Sequence, residues 1–124
     1  MASTSPLVSV VDDDDSVRES LPDLVKALGF CVEAFSSAEA FLASDCVGRT
    51  SGLILDIAMP GMTGLELHHE LARRGQSIPT VFITAQRDTT MRRHLIEKGA
   101  VECLFKPFSD AALQEALDLA LRMH

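Results

Sequence analysis

The sequence predicts a doubly wound, three-layer α/β domain. Five times along the chain, a short apolar run is followed by a segment whose apolar residues recur at helical spacing. The apolar runs are continuous rather than alternating, which is typical of parallel strands covered by helices on both faces. A chain of 124 residues, 47% of them hydrophobic, suits one domain. We therefore expect residues 1–124 to form a single domain.

Three strand–helix units are predicted in the first half of the chain. Leu7–Val11 is the first apolar run, and apolar residues then recur at helical spacing as far as Gly29. Cys31–Phe35 is the second run, and a pair of serines after it can cap a short helix. Leu53–Leu55 is the third run; an MPG turn and a leucine-rich helix ending near Gly75 follow it.

Two further units complete the second half. Thr80–Thr84 is predicted to be the fourth strand, and Asp88 can cap a helix that ends at Gly99. Val101–Phe105 is predicted to be the fifth strand, and Ser109 can cap the last helix. Five strands alternating with five helices imply a parallel sheet.

One residue conflicts with this pattern. Pro22 falls inside the first helical segment. Proline lacks the backbone N–H and costs about 3 kcal/mol within a helix. We therefore expect the first helix to bend or to start late.

Charge and hydropathy exclude several classes of protein. The 18 acidic and 11 basic residues give a formal net charge of -7, which argues against direct binding of nucleic acid. No apolar run approaches the roughly 20 residues that cross a bilayer, and the N-terminus lacks the features of a secretory signal. We therefore expect a cytoplasmic protein with no membrane contact.

The three cysteines show no metal or redox spacing. Cys31, Cys46 and Cys103 are an odd number and form no CxxC pair. Cysteine behaves as a small hydrophobic residue when it is unpaired. We expect three buried free thiols.

Polar residues stand at the ends of the predicted strands. Asp12 and Asp13 follow the first strand, Asp56 ends the third, Thr84 ends the fourth and Lys106 follows the fifth. The carboxyl ends of parallel strands meet at one edge of a sheet, and ligands bind there where the strand order reverses. These side chains are therefore expected to converge on one site.

The residue types at this site suit metal-assisted phosphoryl transfer. Four adjacent aspartates, Asp12 to Asp15, repel one another unless a cation lies beside them, and clustered carboxylates suit Mg²⁺. A carboxylate can also attack phosphorus to form an acyl phosphate, while the metal and a lysine offset charge. Asp56 is the candidate nucleophile, because it stands alone at a strand end. Asp14 and Asp15 are expected to stabilise the start of the first helix.

Four motifs in order carry a family resemblance. VVDDDDSVRESL, LILDIAMPGMTGLEL, VFITA and KPF together resemble the receiver domain of two-component response regulators, from Val8 to about Leu121. The resemblance implies a flavodoxin-like fold with strand order 2-1-3-4-5. The residues of these motifs are most similar to those of regulators whose receiver precedes a helix-turn-helix output domain. Such a domain is absent from these residues, so we expect a truncated chain or a single-domain regulator.

The resemblance implies a role for each site residue. Asp56 would accept a phosphoryl group from a sensor histidine kinase, the Thr84 hydroxyl would move to bind that group, and Lys106 would pair with it. A cis peptide would join Lys106 to Pro107. Asp13 would be a direct metal ligand. The Mg²⁺ site that the resemblance implies consists of Asp12, Asp13, Asp56 and the backbone carbonyl of Ala58.

The family also implies an output surface and a regulatory function. The output surface would consist of the fourth helix, the fifth strand and the last helix, and phosphorylation would shift the population of its conformations. This suggests that a homodimer forms through that surface. It also suggests control of transcription through an output DNA-binding domain. Cys103 and Phe105 should point the same way on the fifth strand, so an exposed Phe105 would add apolar area to this surface. The chain would not be an enzyme beyond its own phosphorylation and slow dephosphorylation.

Three positions depart from the family pattern. Cys103 stands where an aromatic residue usually follows the movement of the threonine, so the switch works without the aromatic or Phe105 replaces it. Ala58 and Gln86 occupy positions that commonly set the rate of dephosphorylation. The lifetime of the phosphorylated state therefore does not follow from the resemblance.

Two alternatives stay open at this point. Asp12, Asp14 and Ser16 come near the DxDx[TV] pattern of haloacid dehalogenase phosphatases, in which Asp12 would be the nucleophile. The chain lacks the cap domain of such enzymes. The second alternative is an interaction module that keeps the fold without phosphorylation. Cys103 leaves this alternative open, whereas the complete set of Asp13, Asp56, Thr84 and Lys106 weighs against it.

Overall fold

A computed structural model describes residues 5–122, in which strands and helices alternate as the sequence predicts. The strands are β1 (Leu7–Val11), β2 (Cys31–Phe35), β3 (Gly52–Asp56), β4 (Thr80–Thr84) and β5 (Glu102–Phe105). The helices are α1 (Asp15–Ala27), α2 (Ala38–Leu42), α3 (Gly64–Arg73), α4 (Thr89–Glu97) and α5 (Asp110–Arg122).

All five strands are parallel and lie in the order β2-β1-β3-β4-β5. The flavodoxin-like prediction is therefore confirmed. Every residue of β3 and β4 is buried, whereas β2 at one edge is largely exposed. The chain reverses its direction of winding between β1 and β3, so a crevice at their carboxyl ends is expected.

Each face of the sheet carries a hydrophobic core, because successive side chains of a strand point to opposite faces. Leu55 and Phe82 pack on one face with residues of α2, α3 and α4. Ile54 and Val10 pack on the other face with residues of α1 and α5. Burial of each large aliphatic side chain contributes about 1.5 to 3 kcal/mol, so the two cores hold the strand ends rigidly in place.

Short polar side chains fix the starts of the helices. Asp14 caps α1 by accepting a hydrogen bond from the Ser16 N–H, and Asp88 caps α4 in the same way. Thr63 and Glu66 form a capping box at the start of α3, directly after the loop that follows β3. Helix α1 runs continuously from Asp15 through Pro22, so the expected late start is wrong.

The cysteines are free, but only two of them are buried. Cys46 and Cys103 pack in the core that contains α2, α3 and α4. The expectation of burial is wrong for Cys31, which is exposed because it lies on the edge strand β2. Between residues 5 and 122, no helix combines the length and apolar character needed to span a bilayer.

Candidate functional site

Three aspartates meet at the carboxyl ends of β1 and β3. One carboxylate oxygen of each of Asp12, Asp13 and Asp56 lies within 4.8 Å of those of the other two. Asp12 is 0% exposed and Asp56 is 6% exposed, whereas Asp13 is open to solvent. The predicted convergence of these three residues is confirmed. The arrangement is a partly buried acidic site with one exposed carboxylate.

Lys106 joins this cluster from the end of β5. Its Nζ lies 2.8 Å from Asp12 Oδ2 and 3.8 Å from Asp56 Oδ1. The Lys106 backbone N–H donates to the Thr84 carbonyl at 2.7 Å, which fixes the strand end beside β4. A cis peptide joins Lys106 to Pro107, as the family resemblance implies. One ammonium group therefore faces two buried carboxylates.

Burial and like charge shape the protonation of Asp56. Burial raises the pKa of Asp56 to about 7, the charge of Asp12 adds to this rise, and Lys106 opposes it. Burial acts to lower the pKa of Lys106, but the hydrogen bond to Asp12 and the negative charges of Asp12 and Asp56 together outweigh it, so that pKa is raised. The single ammonium group thus leaves an excess of negative charge, which a further cation would offset.

The donor set fits a hard divalent cation. The oxygen atoms of Asp12, Asp13 and Asp56 are clustered, and carboxylate oxygens are the ligands that Mg²⁺ prefers. Exposed Asp13 leaves the cluster open to solvent, which suits a metal that keeps several water ligands. The residues present therefore fit Mg²⁺, and Ala58 lies two residues beyond Asp56 at an exposed position of the loop before α3.

The polar atoms of Asp12 are already engaged. Its Oδ1 accepts from the Asp14 N–H at 2.9 Å, and its Oδ2 accepts from Lys106 Nζ at 2.8 Å. Its backbone carbonyl accepts from Arg18 Nη1 at 2.9 Å. A carboxylate held by two donors is a poorer nucleophile than one that is more loosely held, such as Asp56 with Lys106 at 3.8 Å. This geometry weighs against the phosphatase alternative, in which Asp12 would attack.

Thr84 lies at the end of β4, beside the acidic cluster in sheet order. Asp56 pairs with Ile83, so Thr84 stands one residue further along the neighbouring strand. The residue is almost fully buried, and its Oγ1 accepts from the Gln86 N–H at 3.1 Å. The hydroxyl therefore anchors the start of the loop between β4 and α4 in this state.

The start of α3 packs directly on the backbone of Asp56, a contact that sequence reasoning missed. A Cβ atom at Gly64 would lie 2.2 Å from the Asp56 carbonyl oxygen and 3.0 Å from the Ile57 Cα. The Gly64 N–H also donates to the Ile57 carbonyl at 2.9 Å. Only glycine permits this approach. The sole clue in the sequence is a glycine directly after the Thr63 cap.

The fifth strand differs from the expectation for an exposed output surface. Cys103 is 1% exposed because it packs into the core, which confirms the expected burial of this thiol, and its side chain therefore adds no accessible area to the predicted output surface. Phe105 is half-buried, and the Arg87 guanidinium lies 5.8 Å from its ring centroid. The large apolar side chains exposed on α4 and α5 are Ile96 and Leu119.

An arginine of α4 holds the free edge of β5. Arg92 Nη2 lies 2.6 Å from Glu102 Oε1, and Arg92 Nε donates to the Cys103 carbonyl at 3.1 Å. The Cys103 N–H donates to Glu102 Oε1 at 2.9 Å. These contacts satisfy both backbone groups of Cys103 on an edge strand and fix α4 against β5.

Known proteins are similar in sequence to nearly the whole chain. The profile of the response regulator receiver domain matches residues 8–118. Nodulation protein W of Bradyrhizobium diazoefficiens is 44% identical over 116 residues, which are 94% of this chain and 51% of that protein. Transcriptional regulatory protein FixJ of Rhizobium meliloti is 38% identical over 117 residues, which are 94% of this chain and 57% of that protein.

Solved structures agree with the sequence matches. The structure of FixJ-N is 35% identical, has a TM-score of 0.84, and covers 100% of this chain and 98% of its own. The structure of response regulator StyR is 43% identical with a TM-score of 0.87, covering 97% of this chain and 61% of its own. The chain spans about half the length of the curated relatives it matches. The family match and the geometry of the acidic site together show that the chain belongs to the response regulator receiver domain family.

Proposed function

We propose that this chain accepts a phosphoryl group on Asp56 from a sensor histidine kinase with the help of Mg²⁺. One observation carries the proposal: the buried Asp56 carboxylate lies within 4.8 Å of Asp12 and Asp13 and 3.8 Å from Lys106 Nζ. This combination supplies a nucleophile, a metal site and a fixed positive charge. Membership of the receiver family supports the same chemistry.

The reaction follows from the placement of these groups. An ionised Asp56 oxygen attacks the phosphorus of a phosphohistidine; the O–P bond forms as the P–N bond breaks, and the imidazole leaves with that electron pair. Lys106 stabilises the charge on the transferred oxygens. Mg²⁺, when held by Asp12, Asp13, Asp56 and the Ala58 carbonyl, supplies further positive charge. Attack of water on the acyl phosphate later releases phosphate, which is the only turnover we assign to the chain.

The switch then runs from Thr84 to α4. The Thr84 hydroxyl leaves the Gln86 N–H, to which it is bonded here, and binds a phosphoryl oxygen. The loop between β4 and α4 moves with it and shifts the population of the α4-β5-α5 surface. Cys103 is too small and too deeply buried to follow as an aromatic lever. We assign the coupling to Phe105, which Arg87 of this loop covers.

We propose that the sensor kinase docks in an apolar groove of this chain beside Lys106. A groove of about 440 Å³ lies between α1 and the loop after β5. Leu21, Leu24 and Phe108 contribute apolar side chains to it, and Lys106 lies at its edge. A phosphohistidine helix resting there would reach the acidic site.

Intact mass measurement tests phosphoryl acceptance. After incubation with acetyl phosphate and Mg²⁺, the wild type is expected to gain about 80 Da, the mass of one phosphoryl group, and EDTA should prevent the gain. Asp56→Asn should gain nothing, because the amide is not a nucleophile. Asp14→Asn is the matched control and should behave as wild type, since Asn also caps a helix well. Absence of any gain in the wild type, with acetyl phosphate and a kinase donor alike, would refute the proposal.

Phosphorylation is further proposed to favour a homodimer through the α4-β5-α5 surface. Ile96 and Leu119 supply its exposed apolar side chains. Sedimentation with Mg²⁺ and beryllium fluoride, a phosphoryl analogue, should show a dimer that Leu119→Ser weakens. Leu65→Ser, on exposed α3, is the matched control and should leave the dimer intact. A monomer in both states would contradict this proposal.

The proposal extends to the whole regulator. Because the relatives of this chain include the transcriptional regulatory protein FixJ, we assign to it control of transcription through an output DNA-binding domain outside these 124 residues. Residues 1–124 then form one receiver domain acting in the cytoplasm. The net charge of -7 supports contact with DNA through that other domain rather than through the receiver.

A further inference from the structure

Arg18 is, besides Lys106, a cation that lies beside the run of four aspartates. It stands on the first turns of α1, and its guanidinium binds at two places. Nη1 donates to the Asp12 backbone carbonyl at 2.9 Å, and Nη2 forms an ion pair with the carboxylate of Asp15. The Arg18 side chain is only 24% exposed although it belongs to a surface helix. The planar guanidinium thus spans the loop between β1 and α1.

The bond to the Asp12 carbonyl acts on the backbone of the acidic pair. That carbonyl belongs to the peptide joining Asp12 to Asp13, so its orientation sets the directions in which both side chains leave the backbone. On the other side of the same turn, Asp12 Oδ1 accepts from the Asp14 N–H at 2.9 Å. The two contacts therefore hold successive peptide groups of the same turn, and Arg18 provides the longer-range of the two.

We propose that Arg18 is a positioning residue for the metal site: it clamps the loop between β1 and α1 so that Asp12 and Asp13 are held ready for Mg²⁺. This inference rests on the proposed function, because it assumes that the acidic cluster binds the metal. The guanidinium reaches Asp12 through the backbone and leaves the Asp13 carboxylate exposed and open to the cation. The site thus gains order without losing a metal ligand.

A purely electrostatic role predicts the opposite effect on the metal. Arg18 carries a positive charge close to a site for a cation, so as a charge alone it repels Mg²⁺. Its removal would then tighten Mg²⁺ binding. As a clamp, it holds the ligands in place, and its removal would weaken Mg²⁺ binding. The sign of the change therefore separates the two roles.

Titration of the unphosphorylated protein with Mg²⁺, followed by calorimetry, provides the test. Arg18→Ala is expected to raise the Kd for Mg²⁺ by about three- to tenfold, the size expected for loss of one charge-assisted hydrogen bond offset by the lost repulsion. Arg18→Lys keeps the charge but lacks the fork that reaches both partners, and a rise of about threefold is expected. Arg49→Ala, which breaks a surface ion pair with Asp45, is the matched control and should leave the Kd unchanged.

Amide hydrogen exchange gives a second readout that does not require phosphorylation. The Asp14 N–H should exchange faster in both Arg18 variants, because the turn that holds it loosens. An unchanged or lower Kd for Mg²⁺ in Arg18→Lys, with unchanged Asp14 exchange, would overturn the clamp. A wild type that binds Mg²⁺ but never accepts a phosphoryl group would instead overturn the proposed function and leave the clamp standing.

Discussion

Asp56→Asn is expected to raise the free energy of unfolding at pH 7.5 in metal-free buffer, by at most about 4 kcal/mol. The wild type buries an ionised carboxylate beside Asp12, and this raises the pKa of Asp56 from 3.8 to about 7. Each unit of a pKa shift corresponds to about 1.4 kcal/mol, and Lys106 loses a partner in the variant, so the gain has this upper limit. An amide of the same shape removes the penalty of burying the charge.

The direction of the pH dependence follows from the sign of this shift. The pKa in the folded state lies above the value of 3.8 for the free side chain, so the folded protein binds more protons between about pH 4 and pH 7. Asp56 therefore costs stability progressively as the pH rises through that window. Below about pH 4 the carboxyl is protonated in both states, and the variant should lose its advantage.

Urea unfolding at pH 4 and at pH 7.5, with EDTA present, measures this effect. Asp45→Asn is a suitable control because the Asp45 side chain is 89% exposed, so its stability should change little at either pH. A destabilised Asp56→Asn at pH 7.5, or a gain of equal size at both pH values, would contradict the electrostatic account of the site.

Gly64→Ala is expected to destabilise the protein by about 2 to 3 kcal/mol, the usual cost of forcing extra volume into a tightly packed site. A methyl group there would lie 2.2 Å from the Asp56 carbonyl oxygen, which is a backbone atom and cannot move aside as a flexible side chain would. The start of α3 must therefore move away from β3. Because the added methyl group presses on the carbonyl of the phosphoryl acceptor Asp56, phosphorylation by acetyl phosphate should also slow.

Gly48→Ala provides the matched control, since a Cβ atom there meets nothing within 4 Å. The two variants can be compared by urea unfolding and by the rate of mass gain with acetyl phosphate. Equal stability and equal rates in Gly64→Ala and Gly48→Ala would show that the contact between α3 and Asp56 does not support the site.

The fold was predictable because its strands are nearly pure apolar runs. All residues of β3 and β4 are buried, which leaves a continuous hydrophobic signature in the sequence. The starts of the helices were also predictable, because Asp88 and Ser109 cap α4 and α5 by accepting hydrogen bonds from N–H groups three residues further along the chain. The helix containing Pro22 was less predictable, because tertiary packing on the sheet outweighs the local cost of proline.

Site residues at strand ends were predictable, whereas their supports were not. Asp12, Asp56 and Lys106 follow apolar runs, and the parallel topology alone brings them together. Arg18 and Gly64 act through contacts with backbone atoms of other elements, and the hydrophobic periodicity of the sequence does not indicate such contacts.

Exposure on the edge strands depends on which helix covers which side. Cys31 and Cys103 both lie on edge strands, yet the first is exposed and the second is buried. The difference arises because Arg92 and the apolar side of α4 cover β5 at Cys103. The alternation of side chains along one strand gives no information about the covering helix, so it could not show that Phe105 is half-buried.

The most direct test of the account is the chemical identification of the phosphorylated residue. Sodium borohydride reduces an acyl phosphate of aspartate to homoserine, which mass spectrometry of peptides can locate. The wild type treated with acetyl phosphate and Mg²⁺ should yield homoserine in place of Asp56 and nowhere else. Homoserine at Asp12 or Asp13, or a phosphorylated protein that yields none, would contradict the central claim that Asp56 is the acceptor.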